Sequence, residues 1–385
     1  MANGKTIVIL GGGIGGVVTA TLLRKKLPRE HKVVLVERES NYVFQPSFLW
    51  LMTGTRSVEK ISRPLRKLDK IGVERIQGEV EHIDPEHKAI QVDGQQILAD
   101  YLIIALGASL APETIPGLSE AGYNIYTLAG AESLRDARLT LREGRIAVLV
   151  SSIPFKCPAA PYEATMLLEY DCRKRKIRDA VKFDLYSAEP GPMGVAGPEV
   201  SKQVRQMVEA KNIEYHPEHA VTEVEAGNKR LHFSNGTQAE FDLLAYVPPH
   251  RAPQVVIDGG LTGESGWVPV NRDSLETKFP GIYAIGDVTG IPLSMGKPLP
   301  KAGVFAHGEG EIVANNLIEK IAGKGVPERF DGHGECFIET GDGKAGFGHG
   351  NFFAEPTPQV KLNKPSRILH LGKVAYEKYW LFEWF

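Results

Sequence analysis

A chain of 385 residues is long enough for two or three domains at roughly 100 to 200 residues each. With 42% hydrophobic and 24% charged residues it can bury a large core, and a net charge of -2 gives no reason to expect nucleic acid as a partner. Three cysteines are too few for a disulfide scaffold, no apolar run reaches the ~18 residues of a spanning helix, and Met1-Ala2-Asn3-Gly4-Lys5 lacks the pattern of a secretory signal, so a cytoplasmic location is expected.

Thr6-Ile7-Val8-Ile9-Leu10 reads as a buried parallel strand that feeds Gly11-Gly12-Gly13-Ile14-Gly15-Gly16 and then a helix from Val17 to Lys26. Gly11 permits the tight turn, Gly13 lets backbone approach a pyrophosphate, and Gly16 lets the helix pack close, its first amides facing the phosphates. Val33-Val34-Leu35-Val36 is the second strand, ending at Glu37, whose carboxylate is placed to accept ribose hydroxyls. Strand, glycines, helix, strand and acid in this order specify a dinucleotide, without deciding between NAD and FAD.

Two later segments decide for FAD. Tyr101-Leu102-Ile103-Ile104-Ala105-Leu106-Gly107-Ala108 resembles the second FAD-domain signature of the two-dinucleotide-binding flavoproteins and marks the domain exit. Gly281-Ile282-Tyr283-Ala284-Ile285-Gly286-Asp287 resembles the third, in which Gly286 and Asp287 end a strand and the aspartate accepts hydrogen bonds from the ribityl and phosphate region.

Between them, the strand Ile146-Ala147-Val148-Leu149-Val150 opens a second domain, yet Ser151-Ser152-Ile153-Pro154-Phe155-Lys156-Cys157-Pro158-Ala159-Ala160-Pro161 follows, without a glycine. Its prolines remove amide donors and stiffen the backbone, so the loop is a poor phosphate cradle and a good mount for a side chain. Pro161-Tyr162-Glu163 opens a helix through Leu168, with Glu163 in its first turn, and Gly191 to Pro198 is a turn before a helix from Glu199 to Lys211. Cys172 reads as an incidental helix-end thiol. A second isolated cysteine, Cys336, stands in Gly334-Glu335-Cys336-Phe337, and Lys373 to Phe385 closes the chain with Tyr376, Tyr379, Trp380, Leu381, Phe382, Trp384 and Phe385, too short to span a bilayer. That tail suits either a lipid-water boundary or a strap on the protein's own core or a twin subunit.

The whole chain resembles the sulfide:quinone oxidoreductases and the similar flavoprotein subunit of flavocytochrome c sulfide dehydrogenase. The matching stretches are the FAD signatures, Lys156-Cys157-Pro158 to Pro161-Tyr162-Glu163, Pro300-Lys301-Ala302-Gly303, the Cys336 segment and Lys373-Val374-Ala375-Tyr376-Glu377-Lys378-Tyr379. The resemblance implies that Cys157 and Cys336 form a disulfide or polysulfide bridge beside the flavin, which sulfide attacks, and that reduced FAD passes its electrons to quinone. It gives Glu163 a proton-shuttling role, sets Lys301 near the flavin and Tyr376 in the quinone pocket, and implies no metal. Ile125 to Ala131 and Asn41 to Pro46 lack the cysteines that attach flavin in some relatives, so FAD is expected to be non-covalent.

The expected fold is α/β, with two Rossmann-like dinucleotide-binding domains of the glutathione reductase type and a C-terminal region. The FAD domain is split into residues 1–112 and 258–325, the inserted domain spans 113–257, and residues 326–385 carry Cys336 and the tail. Sulfide and quinone are the expected partners of a homo-oligomer on the cytoplasmic side of a membrane, held by the aromatic tail, whose residues 380–385 are expected to be dispensable for FAD binding. The alternatives are a flavocytochrome c-type sulfide dehydrogenase, a type II NADH dehydrogenase and a flavin-bearing redox sensor.

Overall fold

The computed structural model describes residues 4–385, so Met1, Ala2 and Asn3, on which part of the N-terminal reading rests, lie outside the described residues. In the first half of the chain, β1 is Thr6–Leu10, α1 Ile14–Lys26, β2 Lys32–Glu37, β3 Glu74–Gln77, β4 Tyr101–Ile104, β5 Tyr123–Asn124, β6 Gly144–Val150 and α2 Ala160–Lys174. The second half supplies β7 Val181–Ser187, α3 Pro198–Glu209, β8 Glu214–His216, β9 Leu243–Val247, β10 Ile282–Ala284, α4 Gly303–Ala322, β11 His333–Gly341, β12 Lys344–Asn351, β13 Gln359–Ser366 and α5 Arg367–Glu383.

Two all-parallel sheets dominate, in the orders β10-β4-β1-β2-β3 and β5-β9-β6-β7-β8. Parallel strands covered on both faces need apolar side chains throughout, which is why β1 and β6 read as unbroken apolar runs. Ile7 and Ile9 enter one core, Val8 and Leu10 another; Ile146, Val148 and Val150 enter a third, Ala147 and Leu149 a fourth. Ser109–Leu110 pairs antiparallel with His250–Arg251 to form the connection between the domains. Val256, in the short helix Gln254–Asp258, already packs with Val8 and Leu10, so that helix sits on the first-sheet side of the crossing.

Helices α1 and α4 meet almost backbone to backbone: a Cβ on Gly310 would stand 2.9 Å from the Gly15 carbonyl oxygen. That contact fixes the start of α1 against the helix that packs on the Gly286–Val288 turn. The antiparallel strands β11, β12 and β13 follow, with β11 along α2, and α5 closes the chain. Among the described residues no helix is long and apolar enough to cross a membrane.

The tail departs from expectation on its inner face. Trp380 is fully buried, Leu381 and Trp384 nearly so, in the core that holds Tyr42 and Phe44. What faces outward is Ile368, Leu371, Tyr379 and Phe382, the last 82% exposed. The segment is therefore both strap and surface, on opposite sides of one helix, and residues 380–385 contribute Trp380, Leu381 and Trp384 to the core.

Candidate active site

The glycine loop folds as its residue types require. Gly11 has φ +101, and a Cβ there would lie 2.4 Å from the Ala105 carbonyl oxygen, which packs the first turn against the end of β4. A Cβ on Gly16 would stand 1.8 Å from the Gly11 carbonyl oxygen, so only glycine lets α1 begin this close to the strand. Gly13 caps α1 and its Cβ direction is open, leaving the first-turn amides of the helix available to an anion. Glu37 accepts the Gly12 amide at 2.6 Å and the Glu39 amide at 2.9 Å, which anchors the acid beside the loop.

Gly107, at φ +67, turns the chain out of the domain after β4. Asp287 lies in a single turn after β10, and its Oδ1 is buried with no hydrogen-bond partner among the described residues. Burial pushes its carboxyl above the usual range, while Lys156 and Lys301 pull the other way. An orphaned acceptor, an open glycine and unclaimed helix amides fit a bound dinucleotide.

Cys157 has φ +49 and stands three residues before the first residue of α2, so it lies at the start of that helix. Its amide donates to the Lys301 carbonyl at 2.6 Å, and Tyr126 Oη donates to the Lys156 and Cys157 carbonyls at 2.7 and 3.2 Å. The loop is thereby tied to both domains. Cys336 lies on β11, which runs along α2: both thiols are free and half-buried, and both pack against one core. Burial first, then the charge of Glu163, pushes Cys157 up to about 12, while Lys373 pulls it down. For Cys336 burial, the neighbouring Cys157 and Glu163 act upward and Lys373 downward.

Glu163 Oε1 accepts Lys373 Nζ at 2.5 Å and the Glu339 amide at 2.7 Å, with Glu163 2% and Lys373 8% exposed. Glu339 in turn takes His370 Nδ1 at 2.8 Å, and both line a cavity of about 200 Å³ beside Trp50 and Tyr170. Lys301 Nζ donates to the Asp287 and Thr289 carbonyls at 2.7 and 2.9 Å and lies 3.3 Å from the Trp267 ring centroid; burial lowers its pKa to about 8. The ammonium thus braces the Asp287 turn, while the main chain of the same residue holds Cys157. Tyr376, on α5, has its ring 6.3 Å from that of Phe44.

Sequence reasoning missed Lys373, Glu339, His370 and Glu309. Glu309 is buried on α4, its Oε2 accepts the Gly286 amide at 2.5 Å, and burial raises it to about 8. The signal was present: Phe305, Glu309 and Val313 share one helical stripe, and an acid on an apolar stripe requires a partner. Cys172 is 1% exposed inside α2 and away from this site's hydrogen bonds.

Two like-ordered parallel sheets, the first with a glycine-loop nucleotide cradle, are the architecture of the two-dinucleotide-binding flavoproteins. Residues 5–310 match the pyridine nucleotide-disulphide oxidoreductase family. The sulfide-quinone reductase of Aquifex aeolicus is 30% identical over 98% of this chain and 91% of its own length. The mitochondrial sulfide:quinone oxidoreductase of Mus musculus is 25% identical over 92% of this chain and 80% of its own. The X-ray structure of the sulfide:quinone oxidoreductase from Aquifex aeolicus superposes with a TM-score of 0.89 at 28% identity, covering 99% of this chain and 91% of that one. The chain belongs to the sulfide:quinone oxidoreductase family of the FAD-dependent pyridine nucleotide-disulphide oxidoreductases. Its enzymatic class is therefore FAD-dependent oxidation of sulfide coupled to quinone.

Proposed function

We propose that Cys157 and Cys336 are the redox pair through which sulfide delivers electrons, with polysulfide as the product. The observation that carries this reading is the convergence of two cysteines, far apart in the chain, on one buried Glu163–Lys373 ion pair. Hydrosulfide attacks the bridged pair, one sulfur–sulfur bond breaks as another forms, and one cysteine is left as a persulfide and the other as a thiolate. Lys373 stabilises that thiolate, and Glu163 takes the persulfide proton as the two sulfurs rejoin, through one added sulfur, with loss of two electrons. FAD, held without a covalent bond, supplies the two-electron acceptor that reduces quinone. Repeated cycles lengthen the bridge until sulfane sulfur leaves as polysulfide.

Gly11, Gly13, Gly16, Glu37, Gly107, Gly286 and Asp287 hold the cofactor, and Lys301 keeps Cys157 and the Asp287 turn in register. Tyr376 and Phe44 receive the quinone head. The outward stripe of α5 rests on the cytoplasmic face of a membrane, where a lipid-soluble acceptor resides. Anaerobic addition of sulfide to the oxidised protein tests the reading: the flavin band bleaches in the wild type and persists in Cys157→Ser. Equal bleaching in both proteins excludes the cysteine route.

A further inference from the structure

A basic cleft borders the outward face of α5. Segment 56–70 contains Arg56, Lys60, Arg63, Arg66, Lys67 and Lys70 against only Glu59 and Asp69. It is strapped along the helix: Arg56 pairs with Glu377 at 2.8 Å, Arg63 Nε donates to the Leu381 carbonyl at 3.2 Å, and Lys67 Nζ to the Phe385 carbonyl at 3.3 Å. Between segment and helix lies a cleft of about 630 Å³ lined by Arg56, Lys60, Arg63, Lys378, Val374 and Leu381. Glu59 and Glu377 complete the lining. Glu377 is neutralised by Arg56, so three cations, Lys60, Arg63 and Lys378, face one acid, Glu59. Arg63 spends its hydrogen bonds on carbonyls, which leaves its charge uncompensated, and Lys60 and Lys378 are exposed.

At 3.6 residues per turn, Ile368, Leu371, Ala375, Tyr379 and Phe382 form one stripe along α5, with Lys378 at its edge on the cleft side. An interfacial helix with cations along one flank attracts anionic lipid. We propose that this cleft is the headgroup site of an anionic phospholipid whose acyl chains lie along the stripe. The proposal rests on the membrane-surface reading above. Half-buried Val374 continues the apolar surface into the cleft, which favours a lipid over a soluble anion. A zwitterionic headgroup brings an ammonium that cancels the attraction of the three cations.

Sedimentation of the full-length holoprotein with two kinds of vesicle tests it: phosphatidylcholine alone, and phosphatidylcholine mixed with phosphatidylglycerol. The wild type binds the mixed vesicles more tightly. Lys60→Ala with Lys378→Ala weakens that binding about 30-fold and scarcely alters binding to phosphatidylcholine, whereas Arg66→Ala with Lys70→Ala, which removes the same charge outside the cleft, has a much smaller effect. Bleaching by sulfide verifies that both variants are folded. Equal losses in the two double variants mean diffuse surface charge and overturn the site. Tight binding of glycerol 3-phosphate or inorganic phosphate without vesicles, lost in the Lys60 and Lys378 variant, means a soluble-anion site and also overturns it. Equal wild-type binding to both vesicles overturns the headgroup site alone, while binding to neither overturns the membrane reading beneath it.

Discussion

Glu163 and Lys373 set the charge balance around two half-buried thiols, and the cost of disturbing them follows from their burial. Replacing Lys373 with Met leaves the Glu163 carboxylate buried without its cation, so Lys373→Met is expected to destabilise the fold by about 3–5 kcal/mol in denaturant unfolding. Glu163→Gln combined with Lys373→Met is expected to recover a large part of that loss. Burial works to lower the Lys373 pKa, but Glu163 and Glu339 outweigh it and the net shift is upward. The contribution from ionisation of Lys373 is therefore complete below the ordinary lysine value of 10.5 and is lost as pH rises through the folded-state value. The thiols respond to the same environment. With Cys157 raised to about 12, its alkylation by iodoacetamide in the reduced protein is expected to keep accelerating above pH 9, where an ordinary thiol levels off. Mass spectrometry of the labelled Cys157 peptide measures this, and a plateau near pH 9 contradicts it. Cys157→Ser and Cys336→Ser are each expected to lower sulfide-dependent quinone reduction by several orders of magnitude. The double variant is expected to be scarcely worse, because members of one relay fail together. Cys172→Ser is expected to change activity little.

Single elements carry two jobs, and α5 shows how a face is divided. Its inward residues Lys373, Glu377, Trp380 and Leu381 reach the active site and the core, with Glu377 accepting Ser47 Oγ at 2.5 Å as well as pairing with Arg56. Its outward residues Ile368, Leu371, Tyr379 and Phe382 make the exposed apolar stripe. Phe382→Ser and Leu371→Ser are expected to weaken binding to liposomes while leaving unfolding nearly unchanged. Deletion of residues 380–385 removes the buried Trp380 and is expected to destabilise the protein by at least the ~3–5 kcal/mol of a core Trp truncation. A truncated protein as stable as the full chain contradicts the strap. The sequence did not separate these faces because aromatic residues occupy both, so composition showed an amphipathic end without showing which side met the core. The strand, glycine loop and helix at the N-terminus were readable for the opposite reason: strand, glycines, helix, second strand and Glu37 follow one another within the first thirty-seven residues, and their residue types declare the turn even though Gly11 also packs on the distant Ala105 carbonyl. The Glu163–Lys373 pair, by contrast, joins two elements whose juxtaposition only the folded chain creates.

At the scale of the molecule, the same sheet is built twice, and in the second copy the loop after β6 carries Cys157 and prolines in place of a glycine turn. Strand order repeats, but after β6 the loop that in the first domain cradles phosphates is tied by the Cys157 amide to the Lys301 carbonyl of the other domain. The position after β7 where an acid serves a ribose is filled too. Glu189 is nearly buried, accepts Tyr162 Oη at 2.6 Å, and is pushed up to about 7 by burial. A nicotinamide nucleotide entering here therefore meets no glycine turn, no free first-turn amide at the prolines of the loop, and an acid already committed to a phenol. The absence of the loop glycines was legible in the sequence, because a missing residue type is a local fact. The Tyr162–Glu189 contact was not, because it depends on how α2 settles on β7. NADH is accordingly expected to leave the flavin band unchanged under anaerobic conditions at concentrations where sulfide bleaches it fully. Tyr162→Phe, which frees Glu189, is not expected to restore reduction by NADH, because the phosphate cradle remains absent. Rapid bleaching by NADH in the wild type contradicts this reading of the second domain, and bleaching only in Tyr162→Phe means that the phenol, not the loop, keeps the nucleotide out.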